Sequence, residues 1–210
     1  MPDVTAPEKL RSSGHRVPWK QMLMYPPFLR LLVFNLIFVI TTAGLGVFNV
    51  AFLKGIAGYS ESLIMLLSTL AVVGALLTVR RIGHLLDRIG SKPIIYVCLV
   101  AMGLIIFGWW LVASNVVGHP IVIVGLLFLL LGITSVNFGM ANARLMLGIV
   151  PLMGRNHFFA MFSVITNLAA GLTPILWGLL LDGVGDWRYV TGPIVWNRYS
   201  IYFASIFLLA

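Results

Sequence analysis

The chain has 210 residues, of which 60% are hydrophobic and 10% are charged, and its formal net charge is +8. Soluble domains contain about 25% charged residues on average, so this composition argues against a water-soluble fold. It also argues against nucleic acid as the partner of the positive charge, because the basic residues lie in short connections beside apolar segments, where they control membrane topology. The composition therefore predicts an integral, multi-pass membrane protein.

Six apolar segments are continuous rather than alternating, which favours membrane-spanning helices over the strands of a barrel. A helix pairs its backbone polar groups internally, as lipid requires. The predicted spans are Leu29–Leu53, Ser62–Val79, Ile94–Ser114, Ile121–Ala143, Phe158–Leu181 and Tyr199–Ala210. Each of the first five is long enough for a hydrocarbon core of about 30 Å. The sixth ends at the last residue of the sequence, so we expect a truncated helix there.

The basic residues predict the orientation of the chain. Residues 1–28 form a polar, basic tail, and residues 29–210 form the bundle. Eleven of the fourteen lysines and arginines lie in the tail, at Arg30, or in the connections after predicted spans two and four. Cytoplasmic connections carry such an excess, which predicts a cytoplasmic N-terminus in the plasma (inner) membrane. The end of the tail, near Trp19 and Tyr25, is expected to anchor at the lipid interface, with a specific anionic-lipid site as the alternative.

The connection between predicted spans two and three contains a motif of glycine and charge. It reads Gly-His-Leu-Leu-Asp-Arg-Ile-Gly-Ser-Lys, and its distinguishing positions are Gly83, Leu85, Asp87, Arg88, Gly90 and Lys92. Gly83 is expected to let a helix end pack closely against a neighbour. Gly90 is expected to permit a turn at backbone angles that other residues resist. Asp87 is suited to a place against the positive N-terminus of another helix.

This motif resembles the signature cytoplasmic loop of the major facilitator superfamily, and the resemblance covers nearly the whole chain. It implies the C-terminal half of a carrier, spans seven to twelve with the last truncated. The implied fold is an all-α membrane protein, a six-helix half of a major facilitator fold built from two inverted three-helix repeats. The tail then corresponds to the linker between halves. The implied partners are the lipid bilayer, a missing N-terminal six-helix half and an unidentified small solute.

A second copy of the motif supports the repeat. Residues Gly178, Asp182 and Gly185 match Gly83, Asp87 and Gly90 with an offset of 95 residues, and two leucines match as well. Three predicted spans separate the copies, so the two units are expected to have opposite orientations in the membrane. A coincidence arising from a leucine- and glycine-rich composition stays open.

Polar residues within the spans are candidates for a transport path. A polar side chain in hydrocarbon costs free energy unless it faces a cavity or a partner. The candidates are Asn35, Thr42 and Asn49 in span one, Asn137 and Arg144 in span four, and Asn167 in span five. The three in span one are seven residues apart and therefore share one stripe of the helix. The resemblance implies that spans one and four line the central path and that spans three and six face lipid. Hydrogen bonds between helices are the alternative for each residue.

The sequence predicts secondary active transport of a small solute by alternating access. A permease subunit or non-transporting half of another complex stays open, although the sequence has no ATP-binding loop of the G-x-x-x-x-G-K-[ST] type. A membrane-embedded enzyme is the weakest alternative, since paired carboxylates and histidine clusters do not occur. We expect no catalytic residues, cofactor or metal. The substrate, the coupling ion and the direction of transport stay open, as does whether the chain is a natural half, a truncated gene product or a fragment.

Overall fold

The computed structural model describes residues 19–151, 155–185 and 187–209. In chain order, its elements are α1 (Trp19–Leu23), α2 (Pro26–Thr42), α3 (Leu45–Gly55), α4 (Glu61–Ile89), α5 (Ser91–Ala113), α6 (Ile121–Ile149), α7 (Arg155–Val184), β1 (Tyr189–Thr191), β2 (Ile194–Trp196) and α8 (Arg198–Leu209). Most of the predicted tail, residues 1–18, lies outside the described residues. The prediction of an all-α membrane fold is confirmed.

Within the described residues, five helical segments are long and apolar enough to cross a membrane, with α2 and α3 together forming the first. The largest difference from prediction is α4, which continues to Ile89 rather than ending near Val79. Backbone hydrogen bonding does not depend on apolar side chains, so a helix can continue after its sequence turns basic. The helix α8 has 12 residues, which span about 18 Å and not a full bilayer.

The first span is interrupted at Ala43 and Gly44. The hydroxyl of Thr42 donates to the carbonyl of Phe38 at 2.7 Å, a side-chain bond that competes with the helical ladder. A Cβ atom on Gly44 would lie 2.5 Å from the hydroxyl oxygen of Tyr202. Glycine at this break therefore lets a residue of α8 approach the backbone of the first span.

The most extensive packing joins α4 to α6, and glycines make it possible. A Cβ on Gly132 would overlap the backbone carbonyl of Ala71, and a Cβ on Gly74 would overlap the carbonyl of Leu129. Lipid offers little hydrophobic drive for helix association, so close backbone approach at small residues supplies much of the packing energy. These two glycines bring the two backbones into direct contact.

The most extensive helix contacts repeat under exchange of the first three spans with the last three. In this exchange α2 replaces α6, α7 replaces α4, and α8 replaces α5. The contact between α4 and α6 then corresponds to that between α7 and α2, and the contact between α5 and α6 corresponds to that between α8 and α2. All four contacts are present. The α5–α8 contact maps onto itself and is also present. This pattern is what two three-helix repeats of opposite orientation produce.

A short antiparallel hairpin precedes α8, and the sequence analysis did not anticipate it. The strands β1 and β2 pair Tyr189 with Trp196 and Thr191 with Ile194. The Val195 amide donates to the carbonyl of Ser114 at 2.9 Å, and the side chain of Asn197 donates to the carbonyl of Ala113 at 2.8 Å. The hairpin is thereby attached to the end of α5.

Candidate functional site

The motif from Gly83 to Lys92 is helical over most of its length, which corrects its prediction as a loop. Gly83, Leu85, Asp87 and Arg88 belong to the last turns of α4, and Lys92 lies in the first turn of α5. Among the described residues, a Cβ on Gly83 would meet no atom within 4 Å, so Gly83 does not pack closely against another helix of this bundle. Gly90 separates the two helices with φ of 83°, a left-handed backbone that glycine adopts without steric cost. The chain passes from α4 to α5 through this one residue. We call this part of the molecule, together with the end of α6 at Arg144, the basic end.

Asp87 and Arg144 form an ion pair at the basic end. The Asp87 Oδ1 and Arg144 Nη1 atoms lie 2.6 Å apart, with side-chain exposures of 74% and 44% respectively. Ion pairs this exposed contribute about 0–1 kcal/mol to stability. The pair links α4 to α6, and its carboxylate stays open to a further partner. Arg144 is exposed in the last two turns of α6, and its place on a path with Asn137 stays a prediction.

The second motif copy ends α7 with the same local geometry. The amide of Gly185 donates to the carbonyl of Leu181 at 3.1 Å, and the amide of Gly90 donates to that of Leu86 at 3.0 Å. Gly185 has φ of 63°, and both leucines are buried. Asp182 is exposed, as Asp87 is, and a Cβ on Gly178 would meet nothing within 4 Å, as at Gly83. The shared pattern thus encodes a helix ending, with its second leucine in the core.

Asn35 belongs to a reciprocal amide pair between the first span and α6. Its Nδ2 donates to Oδ1 of Asn142 at 3.1 Å, and Nδ2 of Asn142 donates to Oδ1 of Asn35 at 2.7 Å. Asn35 also donates to the carbonyl of Leu31 at 2.9 Å, and it is 4% exposed. This geometry is that of a hydrogen-bonded contact between helices.

The other candidate path residues do not share one surface. Asn49 is fully buried, and neither of its side-chain polar atoms has a partner among the described residues. Asn137 is half-buried, and its Oδ1 likewise lacks a partner there. Asn167 is exposed on α7, while Thr42 lines an apolar crevice between the first span, α5 and α8. The stripe of Asn35, Thr42 and Asn49 therefore follows the interior of this bundle more than an open surface.

We predict that the Asn35–Asn142 pair shows strong coupling in a double-mutant cycle. Asn142→Leu leaves the Asn35 amide buried with an unmet group, which costs about 1–3 kcal/mol. The double variant Asn35→Leu with Asn142→Leu removes both groups, and we expect it to lose less than the sum of the single variants. Thermal unfolding in detergent measures all four proteins. Strict additivity of the single losses would contradict the pairing.

Sequence reasoning missed three residues that connect helices of the bundle. The indole of Trp177 donates to the carbonyl of Ile40 at 3.1 Å, across 137 positions. Tyr202 is 1% exposed, and its ring contacts that of Trp177 edge-on at 5.2 Å. Asn142, the third, lies on α6 between the two candidates named in span four, Asn137 and Arg144. Treating every polar residue of the fourth span as a candidate would have included it.

The end opposite the basic end carries a second ion pair and a half-buried histidine. Lys54 and Glu61 lie 2.6 Å apart, joining α3 to α4. The hydroxyl of Tyr59 donates to the carbonyl of His119 at 2.5 Å. Burial lowers the pKa of His119 below its ordinary value, which favours the neutral imidazole. This agrees with a structural role for His119 in the connection between α5 and α6.

Among the described residues, no group of three or more histidine, cysteine, aspartate or glutamate side chains is placed to hold a metal ion. Comparison with known proteins gives one finding. The family model described as Major Facilitator Superfamily matches residues 31–209. No curated protein and no solved structure matches the chain.

Proposed function

Because the chain belongs to the major facilitator superfamily, whose members are membrane transporters, we propose that it performs secondary active transport of a small solute by alternating access. We propose further that it acts as the C-terminal half, spans seven to twelve, of a twelve-span carrier. In such carriers two bundles rock around a site near the middle of the membrane. The site would then form between this chain and a second six-helix bundle.

The observation that carries this proposal is the exposure of two equivalent helices. In the most apolar 18-residue stretch of α4, 17% is buried inside the bundle, and in that of α7, 11% is buried. The corresponding share is 39% in each of the other three spans. The exchange of repeats described above maps α4 onto α7. A second bundle that packs against both would cover surfaces that are related by the internal symmetry of this one. Asn167 on α7 is exposed on the surface that such a second bundle would cover.

Coupling to an ion would then depend on the second bundle. The described acidic residues are Glu61, Asp87 and Asp182, and all three lie in the first or last turns of their helices. Proton or sodium relays within membranes use ionisable side chains that face the interior of the bundle. We therefore place the coupling carboxylate in the N-terminal half. The asparagines Asn35, Asn49 and Asn137 would position the helices or bind solute.

Uptake measurements test the transport proposal. The chain is produced together with the protein segment that is encoded next to it, and the product is reconstituted into vesicles. Uptake of a panel of labelled solutes is measured with and without a proton gradient. Accumulation of a solute that is abolished when the gradient is removed supports a secondary carrier. Uptake that requires ATP instead would indicate a permease subunit of a pump, and a panel without any uptake would oppose transport by this protein.

We predict that the basic end faces the cytoplasm. In a Cys98→Ser background, which removes the single cysteine, one variant carries Ser91→Cys at the start of α5 and a matched variant carries Thr191→Cys in the exposed hairpin. A membrane-impermeant maleimide added to intact cells should label Cys at 191 and reach position 91 only after permeabilisation. The reverse pattern would overturn the orientation that the basic residues predict.

A further inference from the structure

Four basic side chains form a stripe along the end of α4. Arg80, Arg81, His84 and Arg88, here called the basic stripe, are all exposed. At about 100° per residue they fall within one sector of roughly 100° around the helix axis. The same sector towards the other end of α4 is apolar and also exposed, with Leu66 at 63%, Val73 at 44% and Leu77 at 63%. One face of α4 therefore changes from apolar to cationic along its length.

The change in polarity occurs at the depth expected for the edge of the hydrocarbon. Arg80 follows Glu61, the first residue of α4, after about 29 Å of helix, which equals the thickness of a typical hydrocarbon core. From Arg80 to Arg88 the helix advances by about 12 Å more. Headgroup layers add several ångströms on each side of the core, so the basic stripe occupies the level of the lipid phosphates.

The described part of the chain provides no anionic partner for the basic stripe. The nearest carboxylate in the sequence, Asp87, lies 2.6 Å from Arg144. Of the other described acidic residues, Glu61 pairs with Lys54, and Asp182 belongs to the last turn of α7. An arginine side chain matches a phosphate group geometrically and in charge. The counter-charge that fits an exposed cationic stripe at headgroup level is therefore lipid phosphate.

We propose that the basic stripe binds the headgroups of anionic phospholipids, while Leu66, Val73 and Leu77 contact their acyl chains. Juxtamembrane basic residues are attracted to anionic leaflets, and the attraction falls off within a Debye length. The continuity of the face favours a lipid over a second protein, because a single lipid molecule presents an anionic head and an apolar tail in the same order. This proposal requires insertion in a membrane and does not rest on transport. The second bundle proposed above would cover the neighbouring exposed sector of α4, at Met65, Val72 and Leu76, and leave the sector of the basic stripe to lipid.

The lipid selectivity of the reconstituted chain tests this proposal. The chain is placed in phosphatidylcholine vesicles that contain spin-labelled phosphatidylglycerol or spin-labelled phosphatidylcholine, and electron paramagnetic resonance measures the immobilised fraction of each label. The wild-type chain should prefer phosphatidylglycerol, and raised salt should weaken that preference. Arg81→Gln with Arg88→Gln should reduce the preference about two- to fivefold.

Two further variants separate the basic stripe from the general charge of the chain. Lys20→Gln with Arg30→Gln removes the same charge from exposed residues of α1 and α2 and should reduce the preference by less than the stripe variant does. Arg81→Lys with Arg88→Lys should retain it. The proposal is overturned if the stripe variant keeps the wild-type selectivity, as it would if the stripe bound a second protein, or if the two Gln variants lose it equally. Melting curves establish that each variant is folded.

Discussion

A Gly132→Ala variant is expected to be strongly destabilised, and this is the largest effect that we predict for any single methyl group in this chain. The added Cβ would overlap the backbone carbonyl of Ala71, and a backbone group has no rotamer with which to move aside. Overpacking of side chains typically costs about 1–3 kcal/mol. Because backbone atoms are opposed here, we expect a loss at or above about 3 kcal/mol, against which the better helix propensity of alanine offsets only about 1 kcal/mol.

The measurement is thermal unfolding in detergent, followed by size-exclusion chromatography of a fluorescent fusion. Gly139→Ala is the matched control, since it lies on the same helix and its Cβ would meet nothing within 4 Å. That control should be as stable as the wild type or slightly more so. Gly74→Ala should behave like Gly132→Ala, because it opposes the carbonyl of Leu129. Equal stability of the Gly132 and Gly139 variants would mean that α4 and α6 do not approach as closely as described.

Loss of the Asp87–Arg144 pair is expected to impair transport more than folding. The side chains are too exposed for the pair to contribute more than about 1 kcal/mol to stability. A change of that size in the balance between two conformations nevertheless shifts their ratio by about fivefold. Because the pair links α4 to α6 at the basic end, Asp87→Asn should lower uptake about two- to fivefold and leave membrane insertion unchanged. Asp87→Arg and Arg144→Asp should each be worse, and their combination should recover part of the uptake.

The ion pair between Lys54 and Glu61 provides the control for this experiment. It has the same separation of 2.6 Å and similar exposure, but it joins α3 to α4 across a short connection. Glu61→Gln should therefore alter uptake less than Asp87→Asn does. Normal uptake by Asp87→Asn would show that the pair does not influence the balance between the two conformations. Asp87 is 74% exposed, so its carboxylate is also available to a helix of the second bundle, as the motif predicts.

The apolar segments predicted the helices because composition decides that question locally. Lipid does not hydrogen-bond the backbone, so about 20 apolar residues in sequence must form a helix wherever they lie in the fold. The motif at Gly83–Lys92 indicated the family in the same local way, and the family match over residues 31–209 confirms it. The repetition at Gly178–Gly185 was equally visible, since both copies describe a helix ending.

Other features depended on the relative rotation and depth of the helices. Asp87 and Arg144 were each singled out, but their pairing across 57 positions follows from the docking of α4 on α6. Asn35 was predicted from its stripe, whereas its partner Asn142 faces it because of the rotation of α6. The need for glycine at 132 arises from the opposing carbonyl of Ala71. Sequence composition alone determined that these segments are membrane helices, because the solvent imposes that state on each separately. The tertiary structure decided which side chains meet, because a meeting requires two helices to agree in register and orientation.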